Sequence, residues 1–358
     1  MSVSTRYPLT AYQRDIWAIV EHFPGLPSYL AGVVGRFSLA IDVATMVAAI
    51  ERTWARNDGL RLRYRVLDGV PYQELSTDPM PPVQVIDVGD SPDPQAEAQR
   101  RIELLTSSAI DLIGAVPFRA HVIRAGAESS YLVLTTHHVA ADATGLFHIG
   151  AQVLTDYATT MAGNPIELPG SSFLECLPFE HDYRSGDQYV ADRDAVTARL
   201  RDITPALFDR PRAGEGLAPV TAYEFTLDRL LVNRIRDAGL SLYPYFCAML
   251  GLYLSRVLRT EDVAIGIPFG NRTNPTEQAT IGHFANTLPL PIRTSGHHTV
   301  RDLASAVKAD VRQLKQHERY PLGDLMGELR RLADPAEQLF DVTVSYARRR
   351  LRRCRVAR

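Results

Sequence analysis

The sequence predicts an α/β chain of two domains, and three observations carry that expectation. At 358 residues the chain exceeds the usual single domain of about 100–200 residues. Apolar patterns of helical period alternate along it with short β-branched runs of period two. Both halves also share a loose order of helices, strands and helices. A hydrophobic content of 46% and a charged content of 22% are those of an ordinary globular protein.

Taken in order, Tyr12, Ile16, Ile19 and Phe23 fall at helical spacing and predict a first amphipathic helix, broken by Gly25 and Pro27. Asp42 can cap a second helix that places Val43, Val47, Ile50 and Trp54 on one face, and Asn57-Asp58-Gly59 stops it. Leu60, Leu62, Tyr64 and Val66 then alternate with Arg61, Arg63 and Arg65, a half-buried strand with Asp68-Gly69 as its hairpin turn. The arginines face solvent, or one of them turns inward to meet a carboxylate. Residues 94–110 predict a helix; Phe118–Arg124 and Tyr131–Thr136 predict strands. A helix of about 18 residues runs from Ala143 to the break at Gly163-Asn164-Pro165. Helical stretches continue to about Asp209, followed by a strand at Val220–Leu227 and helices at 229–239 and 243–258. The second of these is apolar nearly all round and is expected to be buried. Strands follow at Val263–Ile267 and Asn286–Ile292, the latter an edge or crossover segment because of Pro289 and Pro291. Helices at 299–316 and 321–332 and a strand at Phe340–Tyr346 complete the pattern.

The chemistry concentrates in Tyr131-Leu-Val-Leu-Thr-Thr-His137-His138-Val-Ala-Ala-Asp142-Ala-Thr-Gly145. An apolar strand ends in two histidines, and an aspartate stands where the next helix begins. Neighbouring strand side chains face opposite ways, so one histidine can reach a substrate while the other packs into the scaffold. A neutral imidazole suits proton transfer near pH 7. The same residues also fit a plainer reading, with two hydrogen-bonded polar side chains at a strand end and Asp142 as a helix N-cap. No third well-spaced His or Cys accompanies them, so no metal site is expected.

Charge excludes further classes. The formal net charge is −2, but residues 348–358 hold seven of the 39 basic residues, leaving 32 against 41 acidic ones. Such a body has no basic face suited to nucleic acid. Cys176, Cys247 and Cys354 are widely spaced and odd in number, which fits a reducing cytoplasm better than a disulfide framework. The most apolar run, Tyr245–Leu254, is too short to span a bilayer, so no membrane is expected as a partner.

Several separated stretches resemble one family. His137-His138-Val-Ala-Ala-Asp142 resembles the HHxxxDG signature of condensation domains of non-ribosomal peptide synthetases. Thr10-Ala-Tyr-Gln13-Arg14-Asp-Ile-Trp17 is similar to their opening A-Q-x-R-x-W motif, and Arg56-Asn-Asp-Gly-Leu60-Arg61-Leu-Arg-Tyr64 to R-H-E-x-L-R-T-x-F. Ile281-Gly282-His-Phe284-Ala-Asn286-Thr287 resembles I-G-x-F-V-N-T, and His317-Glu-Arg-Tyr-Pro321-Leu resembles H-Q-D-x-P-F. Phe340–Tyr346 looks like the strand that follows them.

The resemblance implies a fold like chloramphenicol acetyltransferase, with two α/β subdomains in a V and the active site between them. On that pattern residues 1–165 form the N-terminal subdomain, 166–175 a linker and 176–346 an incomplete C-terminal subdomain. Residues 347–358 form a disordered Arg-rich tail that reads as a truncated or frame-shifted end. The implied activity is amide formation between two acyl or aminoacyl thioesters, each on the 4'-phosphopantetheine of a peptidyl carrier protein domain. An adenylation domain is the expected neighbour, no cofactor is bound by the domain itself, and the setting is cytoplasmic. His138 is the implied catalytic histidine, beside His137. Asp142 is mainly structural and pairs with Arg61. The residue after Asp142 is Ala143 where the signature has Gly, and Gly145 is the nearest glycine. The alternatives are an epimerisation domain or ester-forming acyltransferase with the same motif, and a degenerate fragment that only docks partners.

Overall fold

In the computed structural model, which describes residues 5–22, 29–200, 223–296, 299–332 and 339–347, the histidine-tipped run is a strand buried on both faces. The described residues separate into two units. One comprises the chain as far as Asp182 together with Arg272–Phe284; the other comprises Tyr183–Asn271 and the chain from Ala285 onward.

The first unit contains β1 (Arg6–Pro8), α1 (Ala11–His22), β2 (Leu30–Phe37), α2 (Val43–Arg56), β3 (Leu62–Leu67), β4 (Val70–Leu75) and β5 (Gln84–Asp87). It continues with α3 (Pro94–Ser107), β6 (Phe118–Arg124), β7 (Ser130–His137), α4 (Ala143–Met161) and the start of α5 (Leu177–Ser185). Its larger sheet has the order β2-β7-β6-β5, with β7 antiparallel to both neighbours and β5 parallel to β6. Alternation along β7 sends Leu132 and Leu134 to a core shared with α2 and α4. It sends Tyr131 and Val133 to a second core under α3. A strand covered on both sides reads as one apolar run, which is why β7 stood out in the sequence. The smaller sheet, β1-β4-β3, packs Leu62 and Tyr64 against Ile16 and Trp17 of α1. Within residues 166–175, Ser171 and Phe173 donate backbone N–H groups to Asn57 and Asp58, at 3.1 and 2.6 Å, and Phe173 lies in the core. This segment is thus part of the first unit, and the division falls after Asp182.

The second unit contains α6 (Asp187–Leu200), α7 (Arg229–Asp237), α8 (Leu242–Leu258), β8 (Asp262–Phe269), β9 (Asn286–Arg293), α10 (Val300–Gln316) and α11 (Leu322–Leu332). A short helix, α9 (Pro275–Ala279), lies in the segment that belongs to the first unit. Strands β8 and β9 pair antiparallel, and Thr343 bridges Gly266 on the other side of β8. Among the described residues β9 therefore has one strand neighbour. Pro289 and Pro291 have the same parity, so both missing N–H groups fall on the open side, as an edge strand allows. Asn286 donates to the carbonyls of Glu318 and Tyr320 at 2.8 and 2.7 Å, tying the start of β9 to the turn before α11.

Three expectations are corrected. Residues 223–228 form no strand, and Tyr223 and Phe225 are largely exposed; residues 220–222 lie outside the described residues. Helix α8 buries one face, including Cys247, Ala248 and Leu254, but exposes Tyr253 and Val257. Residues 340–346 make one bridge at Thr343 in place of a full strand. The Arg-rich residues 348–358 lie outside the described residues. No single described helix is long and apolar enough to cross a membrane.

Candidate active site

The site grows from the C-terminal end of β7. His137 is the last residue of the strand, 4% exposed, and its ring stacks on Tyr29. Its Nδ1 accepts the Val139 N–H at 3.2 Å. Burial, reinforced by neighbouring His138, pushes its pKa down to about 4. His137 is therefore a neutral piece of scaffold, the packed member of the pair expected from strand alternation.

His138 follows the strand, donates its backbone N–H to the Tyr29 carbonyl at 2.7 Å and keeps a half-buried ring. Its Nδ1 lies 3.3 Å from Nδ1 of His283, with the rings edge to face at 79°. Among the described residues no other group hydrogen-bonds the His138 ring. The turn beyond is held from behind: Gln13 Nε2 and the Tyr64 hydroxyl both donate to the Val139 carbonyl at 3.3 Å. Gln13 is 1% exposed, and its Nε2 also lies 3.1 Å from Gln73 Oε1. The opening motif thus buttresses the histidine turn and supplies no reacting group.

Asp142 caps α4. Its Oδ1 accepts the Gly145 N–H at 2.8 Å and the Arg272 guanidinium at 2.9 Å, and its Oδ2 accepts the Phe284 N–H at 3.0 Å. Burial pushes its carboxyl up, but Arg272, His283 and the two backbone N–H groups outweigh that, and the net shift is downward. The Arg272 side chain is also largely enclosed: its guanidinium donates to the carbonyls of Glu277, Thr280 and Gly282 and lies over the Phe284 ring, 4.3 Å from its centroid.

Here the sequence expectation needs correcting. Asp142 pairs with Arg272, not with Arg61. Arg61 closes a 3-10 turn, Asp58–Arg61, and β3 begins only at Leu62. The side-chain alternation used to aim it therefore does not reach that far back. It lines a polar surface pocket with Arg56, Asp58 and Glu175. Gly145 lies in close contact with the backbone of Gly282. A Cβ there would lie 3.0 Å from the Gly282 carbonyl, so the glycine lets α4 approach the 282 loop. Ala143 faces outward, which explains why it can stand where the signature has glycine.

His283 and Arg272 were not singled out from the sequence. His283 sits at the variable position of Ile281-Gly282-His283-Phe284, and Arg272 in a loop that read only as a loop. His283 is 4% exposed, and burial, with the neighbouring His138, pushes its pKa down to about 3.

A family model described as the condensation domain matches residues 3–350. A dimodular non-ribosomal peptide synthase of Bacillus subtilis (strain 168) is 26% identical over 359 residues, covering 96% of this chain and 15% of the relative. Surfactin synthase subunit 1 of the same organism is 26% identical, with 96% and 10% covered. The chain thus spans only a small part of these relatives. Among solved structures, the starter condensation domain of rhizomide synthetase RzmA, in complex with C8-CoA, superposes with a TM-score of 0.82 at 24% identity. It covers 95% of this chain and 78% of that one. The first condensation domain of the calcium-dependent antibiotic synthetase gives 0.79 at 20%, with 96% and 81% covered. From the histidine turn, the motifs that buttress it and these matches, the chain belongs to the condensation-domain family of non-ribosomal peptide synthetases, an acyltransferase-type enzyme family.

Proposed function

We propose that this domain forms an amide bond between two thioesters held on the 4'-phosphopantetheine arms of peptidyl carrier protein domains, with His138 as the catalytic residue. One observation carries the reading. The His138 ring is held at Nδ1 by a buried neighbour, while its Nε2 has no hydrogen-bond partner among the described residues. That nitrogen is the one free to meet a substrate. The acceptor amine must lose a proton as its nitrogen attacks the donor's thioester carbonyl. His138 Nε2 takes that proton, the C–N bond forms, the C–S bond breaks, and the proton leaves with the phosphopantetheine thiol. Such a group contributes about 10²–10⁴-fold, beside the advantage of holding both substrates in line. His137 and Asp142 act through the scaffold: one seats the strand end, the other fixes the turn after His138. The substrates bring their own pantetheine arms, so the domain itself needs no bound cofactor. An adenylation domain is the natural neighbour for loading the acceptor carrier. The buried free thiols of Cys176 and Cys247 suit a reducing cytoplasm.

The test is reconstitution with a carrier-bound donor and, in parallel, an amine acceptor, an alcohol acceptor and none. Amide product is expected with the amine, and His138→Ala is expected to cut its formation at least about 10²-fold. Turnover near wild type in His138→Ala overturns the assignment, and product only with the alcohol marks an ester-forming relative.

A further inference from the structure

His283 is built into the site more firmly than its place in a variable motif position suggests. The backbone is pinned on both sides of it. The Gly282 carbonyl accepts from the Asp142 N–H at 3.2 Å and from Arg272 at 3.2 Å, and the Phe284 N–H donates to Asp142 at 3.0 Å. Gly282 has no room for a side chain, since a Cβ there would meet the Phe173 ring at 2.2 Å. The imidazole of His283 is therefore presented to His138 from a fixed point, and it is shielded from solvent.

Two ring nitrogens 3.3 Å apart need one hydrogen between them, so one Nδ1 donates and the other accepts. The groups facing the pair are His137, Asp142 and Arg272. Among the described residues no carboxylate hydrogen-bonds the His138 ring, so the part an orienting carboxylate plays beside many catalytic histidines falls here to an imidazole.

We infer that His283 is a positioning residue that accepts the Nδ1–H of His138 and so fixes His138 in the tautomer whose Nε2 carries the lone pair. This rests on the reading of His138 as the proton acceptor, because the opposite tautomer has no lone pair at Nε2. When Nε2 gains a proton, the imidazolium keeps its Nδ1–H donated to His283, and no second proton moves.

The experiment uses the full chain labelled with 15N-histidine. Long-range 1H–15N correlations report the His138 tautomer directly, and the Nδ1–H form is expected. His283→Leu, which cannot accept, should mix the tautomers and lower kcat about tenfold, the size of one lost hydrogen bond, with KM for the carrier substrates nearly unchanged. His283→Asn places an amide oxygen near the lost Nδ1 and should restore kcat to within about threefold of wild type. The kcat–pH profile should shift in His283→Leu and return in His283→Asn. A His138 Nε2–H tautomer in the unsubstituted chain overturns the inference, even if His283→Leu fails to fold. So does a His283→Leu variant with unchanged tautomer and pH profile. His138→Ala, assayed alongside, separates the two ideas: if it retains activity, the role of His138 fails; if it is dead while the tautomer is unmoved by His283→Leu, only the role of His283 fails.

Discussion

Replacing Arg272 by Met tests the reassigned ion pair most directly. Methionine keeps an apolar stem but removes the guanidinium from the Phe284 ring and from a carboxylate that is 2% exposed. Breaking a buried pair by removing one partner costs about 3–5 kcal/mol. The upper half of that range is expected, because the carbonyls of Glu277, Thr280 and Gly282 lose their donor at the same time. The penalty also has a pH signature. In the wild type the Asp142 carboxyl titrates below its ordinary value, so its contribution is complete above about pH 4 and is lost as pH falls through the folded value. Without Arg272 the largest opposing influence on burial is gone, so the downward shift of the carboxyl shrinks. The wild type then loses more stability than the variant as pH falls, and the gap between them narrows towards acid pH. Both tryptophans, Trp17 and Trp54, are buried in the first unit, so urea titrations followed by their fluorescence read this unit alone. Asp142→Asn completes a double-mutant cycle, with a coupling of about 1–3 kcal/mol expected. Arg61→Met is the control and should cost under about 1 kcal/mol, because Arg61 forms no ion pair among the described residues. Equal losses for Arg61→Met and Arg272→Met, or a gap that does not change with pH, refute the reasoning.

Other outcomes follow from the same geometry. His137 and His283 are held neutral with pKa values pushed down to about 4 and 3. Each therefore loses stability as pH falls below the unfolded value near 6.5, by roughly 2 kcal/mol per histidine at pH 5. Thermal melts from pH 7.5 to 5 should show it, and a flat Tm across that range contradicts the burial of these rings. Gly282→Ala drives a Cβ into the Phe173 ring and should destabilise the first unit by about 1–3 kcal/mol; an unchanged urea midpoint speaks against the packing. Asn286→Leu leaves the Glu318 and Tyr320 carbonyls without their donor. It should cost the second unit about 2–4 kcal/mol, while the tryptophan-detected transition stays in place.

What could be seen in the sequence was local. β7 announced itself because both faces are covered, and Asp42 and Asp142 stood where N-caps belong and do cap α2 and α4. β2 went unseen because Gly32 and Gly35 interrupt its alternation; at Gly32 a Cβ would crowd Thr135 at 3.3 Å. The partner of Asp142 was hidden for a different reason. Arg272 lies 130 residues away, and no periodicity links the two. The motif pattern supplied a partner at Arg61, and the chain's geometry there, a tight turn before the strand starts, aims that arginine elsewhere. His283 carried no signal of its own, since a lone histidine among apolar residues is chemically silent until its neighbour is known.

The return of Arg272–Phe284 to the first unit has a consequence for how the protein is made. Residues 183–271 must be synthesised before the segment that completes the surroundings of His138 exists. A nascent chain that has emerged only as far as Asp182 has a bare helix cap at Asp142, no Arg272 beside it, and no Ile281 in its core. Closure of so long an excursion is slow relative to local folding. Between the synthesis of residue 138 and that of residue 284 the growing chain thus carries His138 without the segment that surrounds it, and a fragment cut after residue 165 or 182 is frozen at that stage.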